Sequence, residues 1–582
     1  VTSPSTSPAP AQLEQQGRQL VAAGRLVEAA ACFEEAVRLE PTRAIAWARL
    51  AKVRMALHDN DAAEPSLAQA CALRPADARL QVLSAQLLRE QNKAERALAA
   101  CRRALELDPV NLDAAVAEAL MLPPVYANAQ DLRAWRNRYA SGLEALHAKI
   151  GMWQSTPRAI LGLEWHNFHL AYQGENDIAL QTRYSDFVAS LLKRALPALR
   201  ELPMPPHAVP GARIRVGFVS SHFRVCTIGD YFLRWVTDLP RDRFDVSTFY
   251  TGHLVDERTA EFARGSDHFA QVNVGLEAIA TAIRGSNLDI VILPEVGLTA
   301  TSNALANLPL APRQCAAWGH PVTTGSRFTG YYISCAEMEP ADAVSHYRET
   351  LLELPGIGVN YRRPGAPNPF PRDAFGLDAI HNIYLCPQSL WKIHPDTDAL
   401  LLEILARDQH AVLFFFLGAA QGQTRALAAR LEHGMAERGI PQRRQIKFLP
   451  NMPREKFQRV MAMSDVMLDC AHWSGGNTTL DSLACGLPVV ALEGRSMRGR
   501  QSSAMLRIIG VDELVAPDAA RYVDVALRVA GDRSLRQRLS ERILAALPRL
   551  FDRTEPIGAL ADSLEALLKE EVRSSSATPA PL

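Results

Sequence analysis

The sequence predicts an α-helical repeat array followed by two α/β lobes built on parallel sheets, and three observations carry that reading. Pro41, Pro75 and Pro109 recur at a 34-residue period. A proline cluster, PMPPHAVP at Pro203–Pro210, separates this helical front from RIRVGFVS at Arg213–Ser220, a run rich in β-branched residues. Beyond it, apolar runs alternate with amphipathic stretches, and the alternation restarts at Asn382.

Size and balance set the frame. A chain of 582 residues, 48% hydrophobic, exceeds what one core usually holds, so about three folded units are expected. The organisation expected is a flexible tail over 1–10, repeats over 11–111, an α-helical connector over 112–202, a linker over 203–212, a first lobe over 213–375, a second over 376–572 and a tail over 573–582. The 63 basic residues cancel the 63 acidic ones, so no overall field draws the chain to nucleic acid or an anionic membrane. Nine scattered cysteines without a C-x-x-C pair fit buried thiols in a reducing compartment, and the expected location is cytoplasmic. The opening VTSPSTSPAP lacks the basic and apolar segments of a secretory signal, and AVLFFFLGAA at Ala411–Ala420 is too short to span a bilayer and reads as a buried strand.

In the repeats, Ala29, Ala63 and Ala97 share the 34-residue phase, as do Ala36, Ala70 and Ala104, with Phe33, Leu67 and Cys101 filling the larger slot between them. Small residues let two antiparallel helices approach closely and proline stops the second, a pattern that resembles the tetratricopeptide repeat. Trp47 and Leu50 add its aromatic and aliphatic positions, while Gln81 and Ser84 replace them in the third unit, whose first helix is expected to pack loosely. Such an array suits either recognition of an extended peptide or structural support.

The first lobe's strands are read at Arg213, at FDVSTFY from Phe244, HFAQVNV from His268, LDIVILPE from Leu288 and RQCAAWG from Arg313. The second lobe's are NIYLCP from Asn382, AVLFFFLG from Ala411, QIKFLP from Gln445, DVMLDC from Asp465 and PVVALEG from Pro488. Ligands in such folds bind beyond the carboxyl ends of the strands, which points to the crevice between two facing lobes. Neither lobe follows its first strand with G-x-G-x-x-G, which disfavours a dinucleotide cofactor; the phosphate loop of NTPases, H-E-x-x-H and G-x-S-x-G are absent too.

Two segments carry the candidate chemistry. In AHWSGGNTTLDSLACGLPVV, Gly475 and Gly476 bring the backbone near a ligand just before a helix opening at Asn477. The N–H groups and hydroxyls of Asn477, Thr478 and Thr479 at the positive end of that helix suit the two phosphates of a nucleotide sugar, against the plainer reading of ordinary helix capping. In CPQSLWKIHP, Lys392 follows a loop at the end of the sheet, where its charge would neutralise a departing diphosphate; a surface lysine is the bland alternative.

Taken together, QSLWKIHP, GGNTTLD and the repeats resemble the O-GlcNAc transferase family over nearly the whole chain. The resemblance implies a GT-B fold of two facing Rossmann-like lobes, a UDP-sugar donor and donor contacts at Lys392, Asn477, Thr478, Thr479 and Asp481. It also implicates Ser389, Arg454 in NMPREKF and Arg500 in RGRQSSA, and Asn477 replaces the family's usual histidine. WGHPVTTG at Trp318–Gly325 and FFFLGAAQGQT at Phe414 look closer to the bacterial adhesin N-glucosyltransferases. The first family transfers GlcNAc to Ser/Thr hydroxyls and the second hexose to Asn, so UDP-GlcNAc and UDP-glucose both stand as donors. O-transfer is favoured by the repeats and GGNTTLD.

The departure lies after the first strand, where the O-GlcNAc transferases have N-H-P-T-[SG] and this chain has RVCTIGD, with Cys226 in the histidine's place. His222 on the same loop and His320 in the G-H-P turn are the candidate catalytic histidines, with Glu295 and Asp230 as lower-ranked carboxylates. The expected reaction is inverting transfer to a polypeptide, without a metal or other cofactor. A sugar transfer to a small molecule or lipid and a non-catalytic peptide-binding scaffold are the alternatives.

Overall fold

The structure is a computed structural model that describes residues 9–153, 155–163, 167–201, 211–365, 367–441 and 445–569. The expected tails, 1–10 and 573–582, and the linker 203–212 lie wholly or mostly outside them. The chain divides into two compact units: residues up to Gln154 with Ser389–Trp391 and Leu417–His433, and the remainder.

The first unit is a succession of antiparallel helix pairs: α1 (Pro10–Ala22) with α2 (Leu26–Leu39), α3 (Ala44–Ala56) with α4 (Asn60–Leu73), α5 (Ala78–Glu90) with α6 (Ala94–Leu107), and α7 (Leu112–Leu120) with α8 (Ala129–Ala148). The six phased alanines are completely buried, and Phe33, Leu67 and Cys101 are buried beside them. Each of the first three pairs turns through one left-handed residue, Gly24 (φ 74°), His58 (φ 60°) and Asn92 (φ 59°), again in the repeat phase. The Trp47 indole donates to the Pro41 carbonyl at 2.8 Å, tying a helix to the proline turn before it.

Two expectations change here. Helix α5 does not pack loosely: Leu80, Val82, Leu83, Ala85, Leu87 and Leu88 are all buried, so its other apolar positions compensate for Gln81 and Ser84. The stretch 112–202 is not one connector. Helices α7 and α8 extend the array, and they approach so closely that a side chain at Gly142 would meet the Ala119 carbonyl; the longer turn between them breaks the 34-residue phase. Residues from Ser155 belong to the second unit.

The second unit holds both sheets. The first lobe has β1 (Ile214–Ser220), β2 (Phe244–Tyr250), β3 (His268–Gln271), β4 (Ile290–Leu293), β5 (Arg313–Ala317), β6 (Tyr331–Cys335) and β7 (Thr350–Leu354). Their order is β3-β2-β1-β4-β5-β6-β7, every pairing parallel. The second lobe has β8 (Asn382–Leu385), β9 (Ala411–Phe416), β10 (Gln445–Leu449), β11 (Val466–Leu468), β12 (Val489–Leu492) and β13 (Val515–Ala516), in the order β10-β9-β8-β11-β12-β13, also parallel. This is the GT-B arrangement of two doubly wound lobes. Sheets covered on both faces give continuous apolar strands, and β4 and β9 are buried at every residue.

The final helix, Glu555–Lys569, falls within the range expected for the second lobe but packs on the first. Arg243 beside β2 pairs with Asp562 at 2.8 Å and Glu565 at 2.6 Å, and the Arg313 guanidinium donates to the Leu567 carbonyl at 3.1 Å. Sequence order alone does not reveal a helix that returns to an earlier lobe. Among the described residues no helix is long and apolar enough to cross a membrane.

Candidate active site

Each sheet reverses its order beside the strand that comes first in sequence, where crevices open at the carboxyl ends of the strands. The turns leaving β1, β4 and β5 carry His222, Glu295 and His320; those leaving β8 and β11 carry Lys392 and the Gly475–Thr479 segment.

Lys392 ends a short 3-10 turn, Leu390–Lys392, and its ammonium donates to the Gln388 side-chain oxygen Oε1 at 3.4 Å. It also lies 5.8 Å from the centre of the Trp473 ring, within cation–π range. Burial around the ammonium pushes its pKa below the ordinary lysine value, against the opposing pull of Cys470, Asp469 and Cys386. The Gln388 amide donates to the Thr478 hydroxyl at 2.9 Å, so the two candidate segments are joined through one side chain.

The helix Asn477–Ala484 opens directly from Gly476. The backbone N–H groups of Asn477 and Thr478 have no protein acceptor among the described residues, whereas those of Thr479 and Leu480 donate to the Gly476 carbonyl. Both glycines are required by crowding: a side chain at Gly475 would come within 2.6 Å of Gln388, Thr478 and Thr479, and one at Gly476 within 2.5 Å of the Tyr231 hydroxyl.

Several of the other expected donor contacts also make hydrogen bonds within the protein. The Thr479 hydroxyl is buried 2.7 Å from that of Ser502. Asp481, 1% exposed, accepts from Arg454 at 2.8 Å, Gln458 at 3.0 Å and Asn477 at 3.2 Å. Burial pushes its carboxyl above the ordinary range while Arg454 opposes the shift. The other arm of Arg454 reaches Asp230 of the first lobe at 2.8 Å, and the Tyr361 hydroxyl donates to Asn477 Oδ1. Arg454 thus bridges Asp481 of the second lobe and Asp230 of the first, and it also lines a small cleft with Tyr361 and Arg363. Arg500 pairs with Glu493 at 2.6 Å, and Ser389 belongs to the three-residue piece grouped with the repeats.

His222 is half-buried, its Nδ1 lying 3.1 Å from the Ser221 hydroxyl and 3.5 Å from Glu295 Oε1. Glu295 is 2% exposed and also accepts from Ser220 at 2.6 Å. His320 sits in an aromatic cluster, its ring stacked on Phe168 at 5.6 Å and 5.4 Å from Trp473, which in turn lies 4.1 Å from Tyr172. Gly297, at φ 108°, leaves room for its imidazole. A cleft of about 500 Å³ lies alongside, lined by Gly174, His472, Val322 and Arg500 among others. His394, Asp396 and His472 bring possible ligand atoms together, but hydrogen bonding accounts for the group: His472 meets Asp396 at 2.9 Å and His394 caps the following helix.

Residues 370–553, spanning the Lys392 turn, the Gly475–Thr479 segment and the sheet that carries them, match the family described as Glycosyl transferase family 41, and residues 48–111 match a tetratricopeptide repeat. The chain carries a glycosyl transferase family 41 domain. It is similar to a probable UDP-N-acetylglucosamine–peptide N-acetylglucosaminyltransferase, SEC, of Arabidopsis thaliana, at 24% identity over 346 residues covering 57% of this chain and 35% of that protein. It is also similar to a UDP-glucose:protein N-beta-glucosyltransferase of Actinobacillus pleuropneumoniae serotype 7, at 27% over 304 residues covering 51% of this chain and 47% of that protein. The chain thus spans half or less of the length of these curated relatives. An O-GlcNAc transferase mutant structure from Thermobaculum terrenum shares the fold with a TM-score of 0.72 at 22% identity, over 97% of this chain and 98% of that one.

Sequence reasoning missed several residues around the family 41 domain's candidate site. Trp473 stands in the quoted AHWSGGNTT, where an aromatic beside a glycine turn signals a ligand-facing or packing platform. Gln388 precedes the lysine by one helical turn. Phe168 and Tyr172 come from a 3-10 helix, Phe168–Gln173, far from either glycosyltransferase segment in sequence, and nothing local announces their role.

Proposed function

We propose that this chain is a UDP-sugar-dependent protein glycosyltransferase that transfers GlcNAc to Ser or Thr with inversion at the sugar carbon. The observation that carries this reading is the continuous link from Lys392 through Gln388 to Thr478, beside two N–H groups at a helix N-terminus, in a family 41 domain. The N–H groups of Asn477 and Thr478 would receive the donor diphosphate, and Lys392 would stabilise the negative charge that grows on it. The acceptor oxygen attacks the anomeric carbon as the bond to the diphosphate oxygen breaks, and UDP departs with the bonding electrons. His222 takes the acceptor's proton, with the buried Glu295 carboxylate oriented behind it. His320, held among aromatic rings, shapes the acceptor side of the crevice.

Positive charge from the lysine and the helix end supports a reaction that needs no metal. The repeats would guide polypeptide acceptors, and the nine free cysteines favour a reducing, cytoplasmic setting. Hexose transfer from UDP-glucose to Asn is the second reading, favoured by the WGHPVTTG segment and by a similarity to the N-glucosyltransferase comparable to that with SEC. Calorimetric titration of the full chain with UDP tests the donor site. Binding that is lost in Lys392→Ala supports it; a variant that binds as well as the parent removes Lys392 from the mechanism.

A further inference from the structure

Directly after β11 stands a carboxylate that the proposed reaction does not use. Asp469 is 1% exposed, and both of its oxygens are engaged by the loop that leads to the donor helix. One accepts the Gly475 N–H at 2.7 Å and the other the Ser474 hydroxyl, also at 2.7 Å. The Ser474 oxygen in turn receives the Ser502 N–H at 2.8 Å, and the Ser474 N–H donates to the Arg498 carbonyl at 2.7 Å. The turn that presents Asn477 and Thr478 is therefore tied down at successive residues, two of them by one buried side chain.

The same carboxylate lies near Lys392 through this loop: it holds the N–H of Gly475, which crowds the Gln388 side chain that receives the Lys392 ammonium at 3.4 Å. The groups that act electrostatically on the ammonium are Asp469, Cys470 and Cys386. The neighbouring Cys386 thiol and burial push Cys470 well above the ordinary thiol range, which keeps it neutral. Tyr522, which donates to the Asp469 backbone carbonyl at 2.9 Å, is likewise held neutral by burial. Asp469 is thus the carboxylate in this group, and a buried ammonium keeps its proton more readily beside an opposite charge. Burial pushes the Asp469 carboxyl up to about 6, while the hydrogen bonds from Ser474 and Gly475 hold it down against that shift, so it is ionised at neutral pH.

We infer that Asp469 is a positioning residue for the transfer: it holds the Ser474–Gly476 turn in the form that aims the Asn477 and Thr478 N–H groups at the donor diphosphate, and it sets a negative charge close to the Lys392 ammonium. This rests on the reading of that loop and Lys392 as the donor site.

Asp469→Asn, the same size, removes the charge and the acceptor for the Ser474 hydroxyl while keeping one oxygen for the Gly475 N–H, and comparison with Ser474→Ala separates the two roles. Binding of UDP-glucose and UDP-GlcNAc to the full chain would be measured by calorimetry from neutral to alkaline pH, with the thermal midpoint as the folding control. The expected result is donor affinity lowered about tenfold or more at neutral pH, with the alkaline loss of binding shifted to lower pH by about one unit. Ser474→Ala, which removes a hydroxyl tie and keeps the charge, is expected to weaken binding without moving the alkaline midpoint, and serves if the asparagine variant does not fold. An equal loss at every pH in Asp469→Asn, with the midpoint unmoved, overturns the charge role; unchanged affinity overturns the inference while leaving the donor site standing. Failure of the parent protein to bind either donor overturns the donor-site reading and this inference with it.

Discussion

The Gln388 side chain donates to the Thr478 hydroxyl at 2.9 Å while its own side-chain oxygen receives the Lys392 ammonium at 3.4 Å. One amide thereby couples the turn after β8 to the helix after β11. Replacing it with alanine leaves both partners in place but no longer fixes their spacing. Gln388→Ala is expected to raise the donor KM about tenfold with a smaller change in kcat, since the net value of such hydrogen bonds is ~1 kcal/mol each. Steady-state kinetics over a range of donor concentrations checks this, and an unchanged KM would count against the coupling.

The proton acceptor is tested by contrast. In the proposed reaction His222, with Glu295 3.5 Å behind it, accepts the proton, whereas His320 is packed among Phe168, Tyr172 and Trp473. His222→Ala is expected to lower kcat about 10²-fold or more and to leave UDP binding unchanged. Loss of binding in place of turnover would move His222 to the donor side.

The bridge from Arg454 to Asp230 and Asp481 joins the two lobes, and the Asp481 carboxylate is the more deeply buried of the two. Arg454→Ala leaves Asp481 with Gln458 and Asn477 alone, at a cost of about 1–3 kcal/mol. A lower urea midpoint, with UDP binding weakened less than in Lys392→Ala, is the expected pattern. If binding is lost as fully as in Lys392→Ala and stability is unaffected, Arg454 contacts the donor directly.

The pH dependence follows from Lys392. Burial lowers its pKa, so the ammonium is lost at a pH below the ordinary lysine value of 10.5. Donor affinity should therefore fall, as the pH rises, before that value is reached. Calorimetric titrations with UDP along a pH series measure this; affinity that stays constant up to the ordinary lysine range would show that the lysine's charge does not hold the donor.

Much of the architecture was legible because the signals are periodic and local. Ala29, Ala63 and Ala97 mark helix approaches every 34 residues, and apolar runs such as AVLFFFLG mark buried strands. Strands β6, YYISC, and β7, TLLEL, are short and mix polar residues into the run, so local pattern marks them less sharply, and β13 is only two residues long. The site was legible where chemistry sits in one segment, as in GGNTTLD. It was not legible where partners come from distant chain: nothing in GGNTTLD shows that Arg454 and Gln458 donate to Asp481, and Tyr172 meets Trp473 although the whole first lobe separates them in sequence. Such pairings depend on the packing of whole lobes, which no local pattern encodes.

The most direct test of the central claim is intact-mass analysis of lysate proteins incubated with the full chain and either UDP-GlcNAc or UDP-glucose, beside a Lys392→Ala control. The account predicts a hexosamine-sized gain on polypeptides with UDP-GlcNAc that is reduced about 10²-fold or more in the control; a hexose-sized gain with UDP-glucose instead would select the Asn-directed reading. No gain with either donor from a chain that binds UDP would contradict transfer to protein, and a gain undiminished in the control would contradict the role given to Lys392.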